Sequence, residues 1–170
     1  MKSLEAAFTR LLAVCGAVGA VIVFATTAMI ALNILLRNAF GSRIPGDVEL
    51  SEYAMLLLTA FVSPWLLNRG QHVRIDLALQ QMPDRLAWAC EIFVDLLGCA
   101  VSALMCVYGL RALVRSMADG TKIVKEFTIP EWWTLWPLPL MFLLLAVEFV
   151  FRLRRVATGE RKARVEGASL

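Results

Sequence analysis

Four apolar stretches separated by short polar segments organise this chain: residues 11–36, 48–67, 88–110 and 132–151. Each reaches the ~20 residues that a helix needs to cross a bilayer. The apolar positions do not alternate as barrel strands would, and backbone groups in hydrocarbon must be satisfied within their own segment, so each stretch is predicted to be a helix. The pattern predicts an all-α integral membrane protein with four transmembrane helices, in a single domain over residues 1–170. The first stretch reads as a retained span and not as a cleaved signal peptide. It is too long for a signal core, no A-x-A site closes it, and Asn33 and Arg37 continue its helical repeat.

Capping signals bound these helices. Asp47 follows the Pro45-Gly46 turn and is predicted to cap the second helix, with Glu49 in its positively polarised first turn. Pro83-Asp84 is predicted to start the third helix and Asp119-Gly120 to end it. Thr128-Ile129-Pro130-Glu131 has the form of a capping box, which would open the fourth helix and place Trp132, Trp133 and Trp136 in an interfacial belt. Pro137 and Pro139 then fall in its first turns.

Between the second and third spans the chain is neither apolar enough to cross nor polar enough to leave the membrane surface. Val73, Ile75, Leu77, Leu79, Met82 and Leu86 predict an interfacial segment over residues 73–87, with Asp76 placed to cap a short helix. It begins in NRGQHVRID, Asn68 to Asp76, which holds the only histidine. Gly70 breaks the second helix, and Arg69, His72, Arg74 and Asp76 are read as a structural corner that meets helix-end groups and lipid headgroups.

Charge sets the expected orientation. With the N-terminus inside, eleven of the seventeen Lys and Arg residues fall on the inner side and six on the outer. The positive-inside rule therefore favours both termini in the cytoplasm, chiefly through the basic tail over residues 152–170. That tail suits anionic phospholipid headgroups, and no nucleic-acid partner is expected. The outer charges are Arg43, Asp47 and Glu49 on one side and Lys122, Lys125, Glu126 and Glu131 on the other, which read either as solvated loop charges or as contacts to a partner.

The composition also excludes chemistry. The chain is 59% hydrophobic with a mean hydropathy of +0.70, against ~45–50% apolar residues in soluble domains. The middle of every span, 13–32, 54–67, 96–110 and 135–147, lacks Asp, Glu, Lys, Arg and His. Glu91, Asp95 and Glu148 enter the spans near one end, where local pairing or a bond to Arg69 or Arg74 is expected. Cys15, Cys90, Cys99 and Cys106 lie in apolar segments without a C-x-x-C pair and read as small hydrophobes. One histidine cannot supply a bis-imidazole haem site. No metal, cofactor or enzymatic activity is expected. Gly16, Ala17, Gly19, Ala20, Gly98 and Ala103 allow close helix approach, either within the chain or to a partner.

Several of these features, in order, resemble the small membrane subunit of tripartite ATP-independent periplasmic (TRAP) transporters, the DctQ-like proteins. They are Asn33 to Arg37 with Asn38-Ala39-Phe40 closing the first helix, Pro45 followed by Glu49, and Arg69-Gly70-Gln71-His72-Val73-Arg74-Ile75-Asp76. Ile129-Pro130-x-Trp132 follows, with Pro139 nine residues after Pro130. Ser63-Pro64 and Leu140-Met141 depart from the family pattern, each where a glycine is usual.

The resemblance implies a bacterial inner-membrane subunit that scaffolds a large (M-type) permease subunit and helps dock a periplasmic (P-type) substrate-binding protein. The assembled system would take up an organic acid with sodium, and this subunit would hold no substrate site. Two other readings are a self-contained four-helix transporter and the membrane anchor of another complex. The first would want a glutamate at depth in its first helix, which residues 11–36 lack, and a redox anchor would want paired histidines.

Overall fold

The computed structural model describes residues 2–42, 44–69 and 84–158. Four long helices carry the spans: α1 (Lys2–Phe40), α2 (Asp47–Asn68), α3 (Asp84–Asp119) and, after a break, α5 (Pro137–Thr158). Between α3 and α5 lie two short strands, β1 (Lys122–Val124) and β2 (Thr128–Pro130), and a single helical turn, α4 (Trp132–Leu135). All four spans are long and apolar enough to cross a membrane, with mean hydropathy from 1.4 to 2.3. The expected all-α membrane architecture is thus present. The interfacial segment falls mostly outside the described residues, although α3 does begin at Asp84 as expected.

The helices pack as two pairs, α1 on α2 and α3 on α5, joined by contact between α2 and α5. Small residues make each pair close. A β-carbon on Gly19 of α1 would overlap Val62 of α2, and one on Gly98 of α3 would overlap the Phe149 ring of α5. Gly16 lies against the Trp65 indole in the same way. These glycines therefore serve the chain's own packing, where hydrocarbon gives helices no hydrophobic reason to associate and close contact must supply the attraction. The outward faces of α1 and α3 expose large apolar residues, among them Phe24, Leu35, Phe93 and Leu104.

Two capping expectations are corrected. The N-cap of α2 is Gly46, in the left-handed region at φ 72°, and Asp47 is the first helical residue with its side chain engaged elsewhere. Thr128-Ile129-Pro130 is not a helix cap but strand β2, paired antiparallel with β1 so that Ile123 faces Ile129. Consecutive β-branched residues, Ile123-Val124 and Thr128-Ile129, on both sides of a three-residue turn favour that hairpin over a helix start. The fourth span does begin at Trp132 as expected, with the turn α4, and after a break α5 opens at Pro137, whose missing N–H costs nothing in a first helical turn. Gly120, at φ 62°, ends α3 where the sequence marks it.

Candidate functional sites at the two ends of the bundle

Polar chemistry is gathered at the two ends of the bundle. At the hairpin end, the first turn of α2 and the β1–β2 turn hold each other reciprocally. The buried carboxylate of Glu49 accepts hydrogen bonds from the backbone N–H groups of Glu126 (2.5 Å) and Phe127 (3.1 Å). In return the Gly46 N–H donates to the Glu126 carboxylate at 2.8 Å. A helix N-terminus leaves N–H groups without intrahelical partners, and here a residue about eighty positions downstream satisfies one of them. The Phe127 ring closes over Gly46 so tightly that a β-carbon there would overlap it.

Three further bonds fix this end. Asn33 of α1 donates to Asp47 and accepts from the Ile44 N–H at 2.9 Å, tying the α1–α2 connection to both helices. Lys125 pairs with Glu52, one turn beyond Glu49, at 2.5 Å. Hydrogen bonding to that carboxylate holds the exposed Lys125 ammonium above its usual pKa. Glu131 accepts from Thr121 and from Ser116 (2.9 Å), which holds its carboxyl below the usual range. With its folded pKa depressed, this anchor is fully present above the ordinary carboxylate pKa and is lost as pH falls through the depressed value.

Of the outer charges singled out in the sequence, Glu49, Glu126 and Glu131 are therefore joined in the bonds that seat the hairpin, while Asp47 ties α1 to the start of α2. Lys122 is exposed, Lys125 is half-exposed beside Glu52, and Arg43 lies outside the described residues. Sequence reasoning did not find Asn33 or Glu52 as members of this cluster. Beside it, Leu50, Tyr53, Leu57, Phe127, Ile129 and Trp133 line an apolar cleft of about 580 Å³.

At the opposite end, α3 begins where α5 finishes. Asp95, fully buried, meets Arg152 at 3.0 Å, and Glu148, also fully buried, meets Arg155 at 2.5 Å. The Trp88 indole N–H donates to the Val156 carbonyl at 3.3 Å. Two sequence expectations change here. Arg152 serves Asp95 across the helix pair and not Glu148 one turn away, and Arg69 stacks on Trp65 at 4.4 Å and meets no acidic side chain among the described residues. Truncating one partner of such a buried pair leaves an uncompensated charge, at a cost of ~3–5 kcal/mol. Gly70, His72, Arg74 and Asp76 lie outside the described residues.

Among the described residues no group of His, Cys, Asp and Glu could hold a metal. Cys15 and Cys106 are buried and Cys90 and Cys99 half-buried, all four free and all on helices. The Cys106 thiol donates to the Pro139 carbonyl at 3.5 Å, across the α3–α5 pair.

The model of the family described as "Tripartite ATP-independent periplasmic transporters, DctQ component" matches residues 26–159. The chain belongs to the DctQ family. No curated protein and no solved structure matches it. The match covers the end of α1, the hairpin, both ends of the α3–α5 pair and the NRGQHVRID stretch. This DctQ chain is thus a multi-pass membrane component of a TRAP transporter complex, in a family of transporter subunits and not of enzymes.

The geometry makes Glu49 the residue on which the hairpin's placement depends. Hydrogen bonds to a charged group contribute ~1.5–3 kcal/mol, so Glu49→Ala should free the turn while leaving the spans folded. Amide hydrogen exchange at Glu126 and Phe127 should rise by at least tenfold over wild type, with exchange in α2 and α3 beyond their ends unchanged. Unaltered protection at both amides would show that the hairpin is held by other contacts.

Proposed function

We propose that this chain is the scaffold subunit of its TRAP transporter, supporting a large permease subunit and receiving a periplasmic substrate-binding protein during sodium-coupled uptake of an organic acid. One observation carries the reading: span midplanes without an ionisable side chain, in a chain that belongs to a transporter family. Ion and substrate coordination at depth needs such groups or broken helices, so the pathway lies in the partner. Both termini face the cytoplasm of a bacterial inner membrane, as the cation asymmetry favours.

On that orientation the hairpin end faces the periplasm. A turn pinned by Glu49 and Glu126 presents Lys122 and Lys125 in fixed positions, and Arg43 belongs to the neighbouring loop. Cations held this way tune encounter and orientation of an acidic partner, and the carboxylates Asp47, Glu49, Glu126 and Glu131 keep the platform in place. The corner Arg69, Gly70, His72, Arg74 and Asp76 sets the angle between the second span and the segment after it, against phospholipid headgroups at the inner surface.

Three outcomes are expected. A cysteine placed at position 120 in a cysteine-free background should react with an impermeant reagent in intact spheroplasts, and reaction only after lysis would invert the map. Reversing Arg43 and Lys125 together should leave co-purification with the large subunit unchanged and raise the binding-protein concentration for half-maximal uptake several-fold. Each exposed contact contributes only ~0–1 kcal/mol, so the double reversal is the informative variant, and an unchanged concentration dependence at low salt would remove these loops from the docking surface. At the corner, Gly70→Val should lower the yield of assembled complex whereas His72→Gln should not. Normal assembly with an altered pH profile in His72→Gln would make His72 a proton-sensitive site instead.

A further inference from the structure

The interfaces within the two helix pairs differ from the seam between them. Within the pairs the helices are locked. Gly16 and Gly19 of α1 receive Trp65 and Val62 of α2, Gly98 of α3 receives Phe149 of α5, and the Cys99 and Cys106 thiols donate to the Ala146 and Pro139 carbonyls across the second pair. Between the pairs the packing is open. A cleft of about 580 Å³ and another of about 290 Å³ both border on Leu56 of α2 and Pro137 of α5. Tyr53 and Leu57 line the first and Met55 and Thr59 the second, and at ~100° per residue these stand on opposite sides of Leu56. The seam is thus flanked by open space on both sides. A third cavity, of about 210 Å³, lies at the far end between Thr9 of α1, Asn68 of α2 and Arg155 of α5, where the Phe8 and Phe151 rings meet at 5.3 Å. Surfaces that face open space forgo the close contacts that would hold two helices at one angle.

The hairpin spans this seam with directional bonds. Its base is fixed to the second pair: Glu131 accepts from Ser116 of α3 at 2.9 Å, and the Glu131 N–H donates to the Thr121 carbonyl at 3.0 Å. Its tip is fixed to the first pair: Glu49 of α2 holds the Glu126 and Phe127 N–H groups, Glu126 holds the Gly46 N–H, and Lys125 pairs with Glu52. The paired strands keep base and tip at one separation. We infer that the hairpin is a strap that sets the angle between two rigid helix pairs, and that freeing its tip lets the pairs rock about the seam at Leu56 and Pro137. A densely packed interface moves as one body, whereas a sparsely packed one is where rigid bodies turn against each other. Lys125 and Glu52 are about half exposed, so the outermost bond of the strap is open to competition from outside, while the Glu49 carboxylate is buried. The device belongs to the chain itself, whichever partner the complete transporter sets against it.

Pulsed electron paramagnetic resonance on the full-length chain in lipid nanodiscs tests the strap, with spin labels on pairs of introduced cysteines in a background free of the four native ones. Val21→Cys with Leu104→Cys spans the two helix pairs, while Leu32→Cys with Leu66→Cys and Phe93→Cys with Leu143→Cys each report within one pair; all these side chains are exposed. Glu49→Ala should broaden the distance distribution between positions 21 and 104 by roughly twofold or more and leave both within-pair distributions at their wild-type widths. Should that variant fail to fold, Lys125→Glu combined with Glu126→Ala, two substitutions at exposed positions, should produce the same contrast. An unchanged distribution between positions 21 and 104 in the folded variant would overturn the strap. Broadening of all the distributions alike would also overturn it, because the bundle would then loosen as a whole and not at the seam.

Discussion

Hydrocarbon offers no partner to a polar group, and the rest of this structure follows from that constraint. Backbone bonds must close within each span, which makes the spans helices, and side-chain charge is displaced to the two ends. At both ends the displaced groups are bonded, and most of these bonds join separate segments. The Glu49 carboxylate accepts from the backbone of Glu126 and Phe127 and the Glu126 carboxylate from that of Gly46, while Asp95 on α3 holds Arg152 on α5 and Glu148 holds Arg155 within α5. Between these layers the helices are joined by shape, glycine against Val62, Trp65 or Phe149.

The division of labour explains why a DctQ subunit can be rigid at its ends and featureless in its middle. Buried ion pairs contribute little net stability because desolvation offsets their attraction, but they tolerate only one geometry. Here the Asp95–Arg152 pair fixes the register of α3 on α5, and carboxylates that accept backbone N–H bonds seat the hairpin on α2. The scaffold role proposed above needs such fixed geometry more than it needs a path through the membrane. Apolar faces on α1 and α3 stay exposed to lipid or to other subunits.

Much of this was legible in the sequence. Long apolar runs give the four spans and Asp119-Gly120 gives the end of α3, whereas Pro137, expected within the first turns of the fourth helix, opens α5 after a break. The β1–β2 hairpin was not legible, because strands of three residues carry little periodic signal and Thr128-Ile129-Pro130-Glu131 has the spacing of a helix cap. Glu49 was visible as a helix-start charge, but not as an anchor. Its partners are backbone N–H groups 77 and 78 positions away, which leave no trace in side-chain identity. The pairing of Asp95 with Arg152 was hidden for a related reason: local i,i+4 spacing offered Arg152 to Glu148, and tertiary packing of α3 on α5 assigned it elsewhere.

The central claim is that the polar layers at the ends hold the chain together and that no transport path runs between them. Reconstituting this chain alone into liposomes with an inward sodium gradient tests it most directly. The account predicts no sodium-dependent uptake of labelled organic acids, including acids that the assembled transporter moves in parallel vesicles. Uptake by the lone chain above protein-free liposomes would contradict it.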